Sequence, residues 1–322
     1  MRAFVTGGSG FLGGRAIELL RARGDDVHAL ARSEAAATAV TAAGARAVRG
    51  DLDDESAMAA GMADCEVVFH CAASTVQFGN RRAVAEINVE GTQRALDAAR
   101  RAGVKTFVHV STEAVLVGGR PIIRADETWP RASHPIGVYP LTKGLAEERV
   151  LAADSPELTT VIVRPRFIWG AHDTSVLPRI VETVKRGRFK WVAGGRHLTS
   201  TCHVDNAVHG MLLAAERSRG GEIYFLTDGE PVELRVFLTR LLKTAGVTPG
   251  DGSVPRWLAR TAAWLAELAW RIFRLAGEPP ITRSAIRLIG EEVTVVDDKA
   301  RRELGYAPVV TREQGLAAIA VP

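Results

Sequence analysis

The chain has 322 residues, of which 47% are hydrophobic, 24% charged and 6% aromatic, and a formal net charge of +4. That balance excludes a disordered tail, a collagen and a disulfide-stapled miniprotein, and a chain this long buries enough surface to need no metal or disulfide staple. Its 41 basic and 37 acidic residues are scattered without a block, which argues against nucleic-acid binding and leaves room for an anionic ligand held by one or two arginines.

The three cysteines, Cys65, Cys71 and Cys202, form no CxxC pair and have no histidine at metal spacing. A reducing compartment and no metal are expected. Met1-Arg2-Ala3-Phe4-Val5 runs directly into a glycine loop, so no signal peptide is expected. No stretch of 18 uncharged apolar residues is present, so no spanning helix is expected. Together these predict a cytoplasmic protein.

In chain order, residues 2–6 form a short apolar strand, followed by glycines and a helical pattern from Phe11 to Arg23. Strands are predicted at Val27–Ala31, Ala45–Arg49 and Glu66–Cys71. A long helical stretch over Arg81–Arg101 ends before Gly103, and a fifth strand covers Lys105–Ser111. Tyr139–Ala153 reads as a helix and Thr159–Arg164 as a sixth strand. Apolar strands alternating with amphipathic helices predict an α/β fold, a Rossmann-type doubly wound parallel sheet covered on both faces. After residue 165 the rhythm breaks. A smaller substrate-binding cap over 166–322 is expected, with some of its segments returning to the 1–165 core.

The first strand ends Thr6-Gly7-Gly8-Ser9-Gly10-Phe11-Leu12-Gly13, with Gly7, Gly10 and Gly13 spaced three and three. A strand, a tight glycine turn and a helix N-terminus bring free N–H groups to a pyrophosphate. The second strand ends Ala31-Arg32-Ser33, and Asp25 and Asp26 lie at its opposite end. A guanidinium and a hydroxyl suit the 2′-phosphate of NADP better than a bare ribose, with NAD as the alternative.

Tyr139-Pro140-Leu141-Thr142-Lys143 puts a phenol and an ammonium four residues apart, on one helical face. A nearby positive charge lowers a phenol pKa, so a tyrosine with a depressed pKa is expected, serving as acid and base.

The loop resembles that of the short-chain dehydrogenase/reductase superfamily in its extended form. Other segments extend the resemblance over almost the whole chain: Ser111-Thr112 before Tyr139-x-x-x-Lys143, Arg164-Pro165-Arg166-Phe167-Ile168-Trp169-Gly170, His203-Val204-Asp205-Asn206-Ala207, and Lys299-Ala300 with Leu304-Gly305-Tyr306. It implies that Thr112, or Ser111 one residue earlier, polarises the substrate oxygen. Tyr139 exchanges the proton, Lys143 tunes Tyr139 and reaches the ribose, and Asn88 supports the site. It further implies that Asp51 and Leu52 contact adenine. Ala72 and Ala73 let the cofactor lie against the backbone, with Pro165 and Ile168 passing beside the nicotinamide. Within the superfamily the chain is similar to the 3β-hydroxysteroid dehydrogenase-like branch, which implies interconversion of a secondary alcohol and a ketone on an apolar, sterol-like substrate. A dihydroflavonol-reductase-type reductase and a nucleotide-sugar epimerase or dehydratase are the alternatives. Phe167 and Thr199 stand where the latter place an Asn and an Arg. A non-catalytic NADP-binding protein is a further alternative. Relatives pair through helices equivalent to 81–101 and 139–153, so a homodimer is expected.

Residues 256–276 read RWLARTAAWLAELAWRIFRLA. At 100° per residue, Arg256, Arg260, Glu267, Arg271 and Arg274 share one narrow stripe, and the rest is apolar or small. Such a face is expected to bury against the core, a second copy, a greasy ligand or a membrane surface.

Overall fold

In chain order, the main-sheet strands of the computed structural model, which describes residues 1–319, are β1 (Arg2–Thr6), β2 (Asp26–Ala31), β3 (Arg46–Arg49), β4 (Val67–His70), β5 (Thr106–Val110), β6 (Thr159–Pro165) and β7 (Glu222–Leu226). They form one sheet in the order β7-β6-β5-β4-β1-β2-β3. Every pairing in it is parallel.

Side chains alternate across each strand, and both faces are apolar because both are covered. In β1, Ala3 and Val5 pack with Ala16, Ile17 and Leu20 of the Phe11–Ala22 helix and with Ala207, Val208 and Met211 of the Val204–Arg217 helix. Phe4 points the other way, into a cluster with Leu96 and Ala99 of the Gly91–Arg101 helix and Val150 of the Val138–Ala152 helix. The chain winds outward from β1 in both directions, so the order reverses between β1 and β4. A crevice opens there at the carboxyl ends of the strands, where ligands of such sheets bind.

The helix expected over Arg81–Arg101 is interrupted. An α-helical turn at Arg81–Ala85 and the Gly91–Arg101 helix flank a π-helical turn at Glu86–Glu90. The widened turn carries Asn88 inward, to 1% exposure, and such turns recur at functional sites. A second, four-stranded sheet joins Val232–Glu233, Leu198–Thr199, Val293–Val295 and Ile122–Ala125 beyond the open end of the main sheet.

Of the partners expected for the apolar face of the Arg256–Ile272 helix, the core is not the one it meets. Ala259, Ala263 and Glu267 are its buried residues, while Trp257, Leu258, Trp264, Leu265, Ile272 and Phe273 are exposed. The charged stripe faces inward because the 281–291 segment presents polar partners. Glu267 accepts from Arg283 N–H at 2.8 Å and Nε at 2.7 Å, Arg260 donates to Glu291 at 2.6 Å, and Arg256 Nε donates to the Gly290 carbonyl at 3.0 Å. The two helices expected to pair copies expose one large apolar residue, Ile87. No helix among the described residues is long and apolar enough to cross a membrane.

Candidate active site

The crevice is a cleft of about 550 Å³. It is lined by the turns that follow β1 to β4, among them Gly7, Gly10, Arg32, Asp51, Leu52, Ala72 and Ala73. These are seven of the positions singled out in the sequence. Cys71, Ser74 and Arg94 line it as well, and no motif marked them. Phe11, Leu12, Gly13, Ser33, Tyr139, Lys143, Pro165 and Ile168 are not among its lining residues. Gly13 instead backs the turn: a Cβ there would meet the Gly7 carbonyl oxygen at 2.3 Å.

Gly7 sits at φ +70°, where a Cβ would lie 2.7 Å from the backbone N of Ala72. Only glycine lets the β1 and β4 turns approach so closely while keeping a left-handed backbone. Gly10 starts the following helix without a side-chain cap, so its first N–H groups face the cleft unclaimed by a side chain. Arg32 is exposed at the cleft's lip. Ser33 caps the Glu34–Ala42 helix, its Oγ accepting from Ala36 N–H at 3.2 Å. Asp51 Oδ1 accepts from the Leu52 N–H at 2.8 Å.

The proton-transfer groups gather around the end of β5. Tyr139 is half-buried on the first turn of the Val138–Ala152 helix, packed on the Ala114–Val117 cluster. Two buried ion-pair bonds of 2.8 and 2.7 Å from Arg164 to Glu147 anchor that helix to β6. Thr112 caps the short turn Glu113–Leu116, and its hydroxyl neighbours the Tyr139 phenol. Ser111 is 4% exposed, and its Oγ has no partner within the protein. A buried hydroxyl without a partner is costly and suits a ligand-binding position. Asn88 ties two walls together. Its Oδ1 accepts from Ser74 N–H at 2.7 Å, and its Nδ2 donates to Ser74 O at 2.9 Å and Thr142 Oγ1 at 3.0 Å.

Lys143 is 1% exposed. Its Nζ donates to the Val110 carbonyl at 2.7 Å and to His109 Nε2 at 2.9 Å, leaving one of its three N–H bonds uncommitted. Burial pushes its pKa down to about 8. Beneath it, His70 and His109 stack at 5.4 Å. Burial, reinforced by the Lys143 charge, pushes His70 down to about 3 and lowers His109. Thr92 Oγ1 gives its own proton to the Asn88 carbonyl at 2.8 Å, so it accepts from His70 Nε2 at 3.0 Å, and Nδ1 of the neutral ring accepts from Thr6 Oγ1 at 2.8 Å.

One expectation is corrected. The phenol of Tyr139 is raised above its ordinary value, by burial first and by the Glu113 carboxylate second. Lys143 turns its charge toward His109 and Val110. The helical spacing of Tyr139 and Lys143 is as expected, but the resting phenol is a firm proton holder.

The model of the 3-beta hydroxysteroid dehydrogenase/isomerase family matches residues 4–256. The chain is 53% identical, over 99% of its own length and 96% of the relative's, to the 4-hydroxy-2-methyl-3-oxo-4-farnesyl-3,4-dihydroquinoline-1-oxide ketoreductase of Stigmatella aurantiaca. It is 33% identical, over 97% and 98%, to the decarboxylating sterol-4-alpha-carboxylate 3-dehydrogenase of Dictyostelium discoideum. Its fold matches that of the UDP-glucose 4-epimerase of Thermotoga maritima with a TM-score of 0.77 at 22% identity, covering 99% of this chain and 97% of that one. With its doubly wound sheet and its crevice at the strand reversal, the chain belongs to the 3-beta hydroxysteroid dehydrogenase/isomerase family and is an oxidoreductase that uses a nicotinamide cofactor.

Proposed function

We propose that the protein uses NADPH to reduce a ketone to a secondary alcohol on an apolar, ring-bearing substrate of sterol or prenylated type. The observation that carries the proposal is the meeting of the Tyr139 phenol and the Thr112 hydroxyl at the end of β5, with Asn88 tying the Tyr139 helix, at Thr142, to Ser74 of the glycine-lined cleft. The ketoreductase name of the 53%-identical relative supports the direction.

The cleft fits a dinucleotide on its own terms: a turn with no room for a Cβ and a helix start without a side-chain cap. In this proposal Gly7, Gly10, Phe11, Leu12 and Gly13 form the pyrophosphate turn, and Arg32 and Ser33 take the 2′-phosphate. Asp51 and Leu52 flank adenine, Ala72 and Ala73 lie along the backbone side, and Pro165 and Ile168 flank the nicotinamide. A dihydronicotinamide held by these residues would supply the hydride that the carbonyl carbon needs. Tyr139 Oη gives its proton to the carbonyl oxygen. Lys143 holds the ribose through its uncommitted N–H while His109 and Val110 fix the other two. Asn88 keeps the 74 loop and the catalytic helix in register. The test is a panel of sterol ketones, prenylated cyclic ketones, flavonols and UDP-sugars with NADPH, run on the wild type and on Tyr139→Phe. The variant is expected to bind NADPH and turn over none of them. Turnover by Tyr139→Phe, or turnover of UDP-sugars alone, refutes the proposal.

The outward face of the Arg256–Ile272 helix is assigned, as part of the same proposal, to an anionic lipid surface. Its tryptophans suit the headgroup level. Beyond those inward contacts Arg271 and Arg274 stay exposed, whereas Arg256 and Arg260 turn to Gly290 and Glu291 and Glu267 is buried. That leaves a purely positive rim complementary to acidic headgroups.

A further inference from the structure

The hydroxyl of Thr112 is not free to turn. Its Oγ1 accepts from Ala114 N–H at 3.2 Å and donates to Glu113 Oε2 at 2.9 Å. Glu113 is 3% exposed, and its other oxygen meets Arg166 Nη1 at 3.0 Å. Arg166 is 4% exposed. Its Nη2 donates to the Leu288 carbonyl at 2.8 Å and to Thr199 Oγ1 at 3.1 Å, while its Nε has no partner. A continuous chain therefore runs from the hydroxyl, through a buried ion pair, to the Leu198–Thr199 strand and the Arg283–Gly290 helix.

Stability does not account for such a pair, because desolvation offsets most of the attraction and a hydrophobic pair of equal volume does as well. Geometry does account for it. A hydroxyl has one hydrogen, and once a carboxylate takes it, the remaining side of the oxygen can only accept.

We propose that Glu113 and Arg166 are a positioning pair that holds the Thr112 hydroxyl as an acceptor facing the Tyr139 phenol, tying that orientation to the seating of the cap. Thr112 then cannot donate to the substrate oxygen, which takes its proton from Tyr139, and Thr112 receives the O–H of the alcohol once it forms. This inference rests on the Tyr139 and Thr112 roles proposed above. The charged groups around the phenol are Glu113 and, behind it, Arg166. Lys143, one turn along the same helix, points at His109 and Val110. The Arg283–Gly290 helix brings the uncharged Ser284 against Gly137.

The test uses Glu113→Gln, the neutral double variant Glu113→Gln/Arg166→Met, and Thr112→Val. The carboxamide offers an N–H to Thr112, reverses its hydroxyl and removes the charge. Ultraviolet titration of the phenolate needs no cofactor, and with three tyrosines in the chain a Tyr139→Phe difference isolates the signal. The Tyr139 titration is expected to move to lower pH in both Glu113 variants. Their kcat is expected to fall roughly tenfold to a hundredfold with NADPH affinity unchanged, the scale set by a misplaced catalytic group. Adding Glu113→Gln to Thr112→Val is expected to cost little more, since Glu113 acts through Thr112. A folded Glu113→Gln protein with wild-type titration and kcat overturns the inference. So do fully additive losses with Thr112→Val, or failure of both Glu113 variants to fold, which would make the pair a staple of the fold. If the wild type reduces no ketone, the functional proposal fails, and the titration still decides whether Glu113 acts on the phenol.

Discussion

Gly7 and Gly103 offer a matched pair of perturbations. Both have left-handed backbones, at φ +70° and +72°. A Cβ on Gly103 meets nothing within 4 Å, whereas one on Gly7 falls 2.7 and 2.8 Å from N and Cα of Ala72 and 2.9 Å from C of Cys71. Alanine at either site carries the left-handed strain of about 1–2 kcal/mol. At Gly7 the obstructing atoms are all backbone, so no side chain can swing aside, and the overpacking adds about 1–3 kcal/mol. Gly103→Ala is thus expected to lose only the strain energy and Gly7→Ala about 2–5 kcal/mol in total. The larger consequence is for the ligand. Moving the 71–73 backbone opens the turn that brings N–H groups to the pyrophosphate, and one lost charge-assisted hydrogen bond of about 1.5–3 kcal/mol weakens binding roughly tenfold to a hundredfold. Urea unfolding of both variants gives the first comparison, and NADPH fluorescence titration gives the second. Equal destabilisation in the two variants, or wild-type NADPH affinity in folded Gly7→Ala, refutes the close-approach reasoning.

Arg32→Asp is expected to weaken NADPH roughly tenfold to a hundredfold while leaving NADH nearly unchanged, as loss of a charge-assisted contact to the 2′-phosphate requires; equal losses for both cofactors in parallel titrations would remove Arg32 from that role. Burial keeps His70 neutral down to about pH 3, whereas the unfolded chain protonates it near 6.5. Stability should therefore drop as pH falls from 6.5 toward 3, by up to about 1.4 kcal/mol per pH unit from this residue. His109 adds a contribution of the same sign. A urea midpoint that stays flat between neutral and acid pH would contradict this. The protein is expected to float with phosphatidylglycerol vesicles and not with phosphatidylcholine ones. Arg271→Gln/Arg274→Gln should cut the partition about thirtyfold, at about 1 kcal/mol per charge. Failure to float, with a doubled mass by sedimentation, would instead make the helix face a contact between copies.

Local patterns were legible because they need only neighbouring residues. Glycines at 7, 10 and 13 after a strand announce the turn, apolar runs announce both covered faces of the sheet, and four-residue spacing puts Tyr139 and Lys143 on one helical face. Projecting residues 256–276 sorted charged from apolar positions correctly. Which side turned inward was decided by Arg283 and Glu291, contributed by a separate segment. The same limit hid the π-helical turn that buries Asn88, the His109 acceptor that draws Lys143 away from the phenol, and the pairing of Glu113 with Arg166. Glu113 did stand beside Thr112 as an acidic residue before Ala114-Val115-Leu116, a local signal that went unused. Arg166 lies 53 residues further on, and only the stacking of β5 beside β6 brings the two into one buried pair. Sequence determines which groups are available and how they recur along each element; long-range packing decides which charges meet out of water, and so how each proton is held.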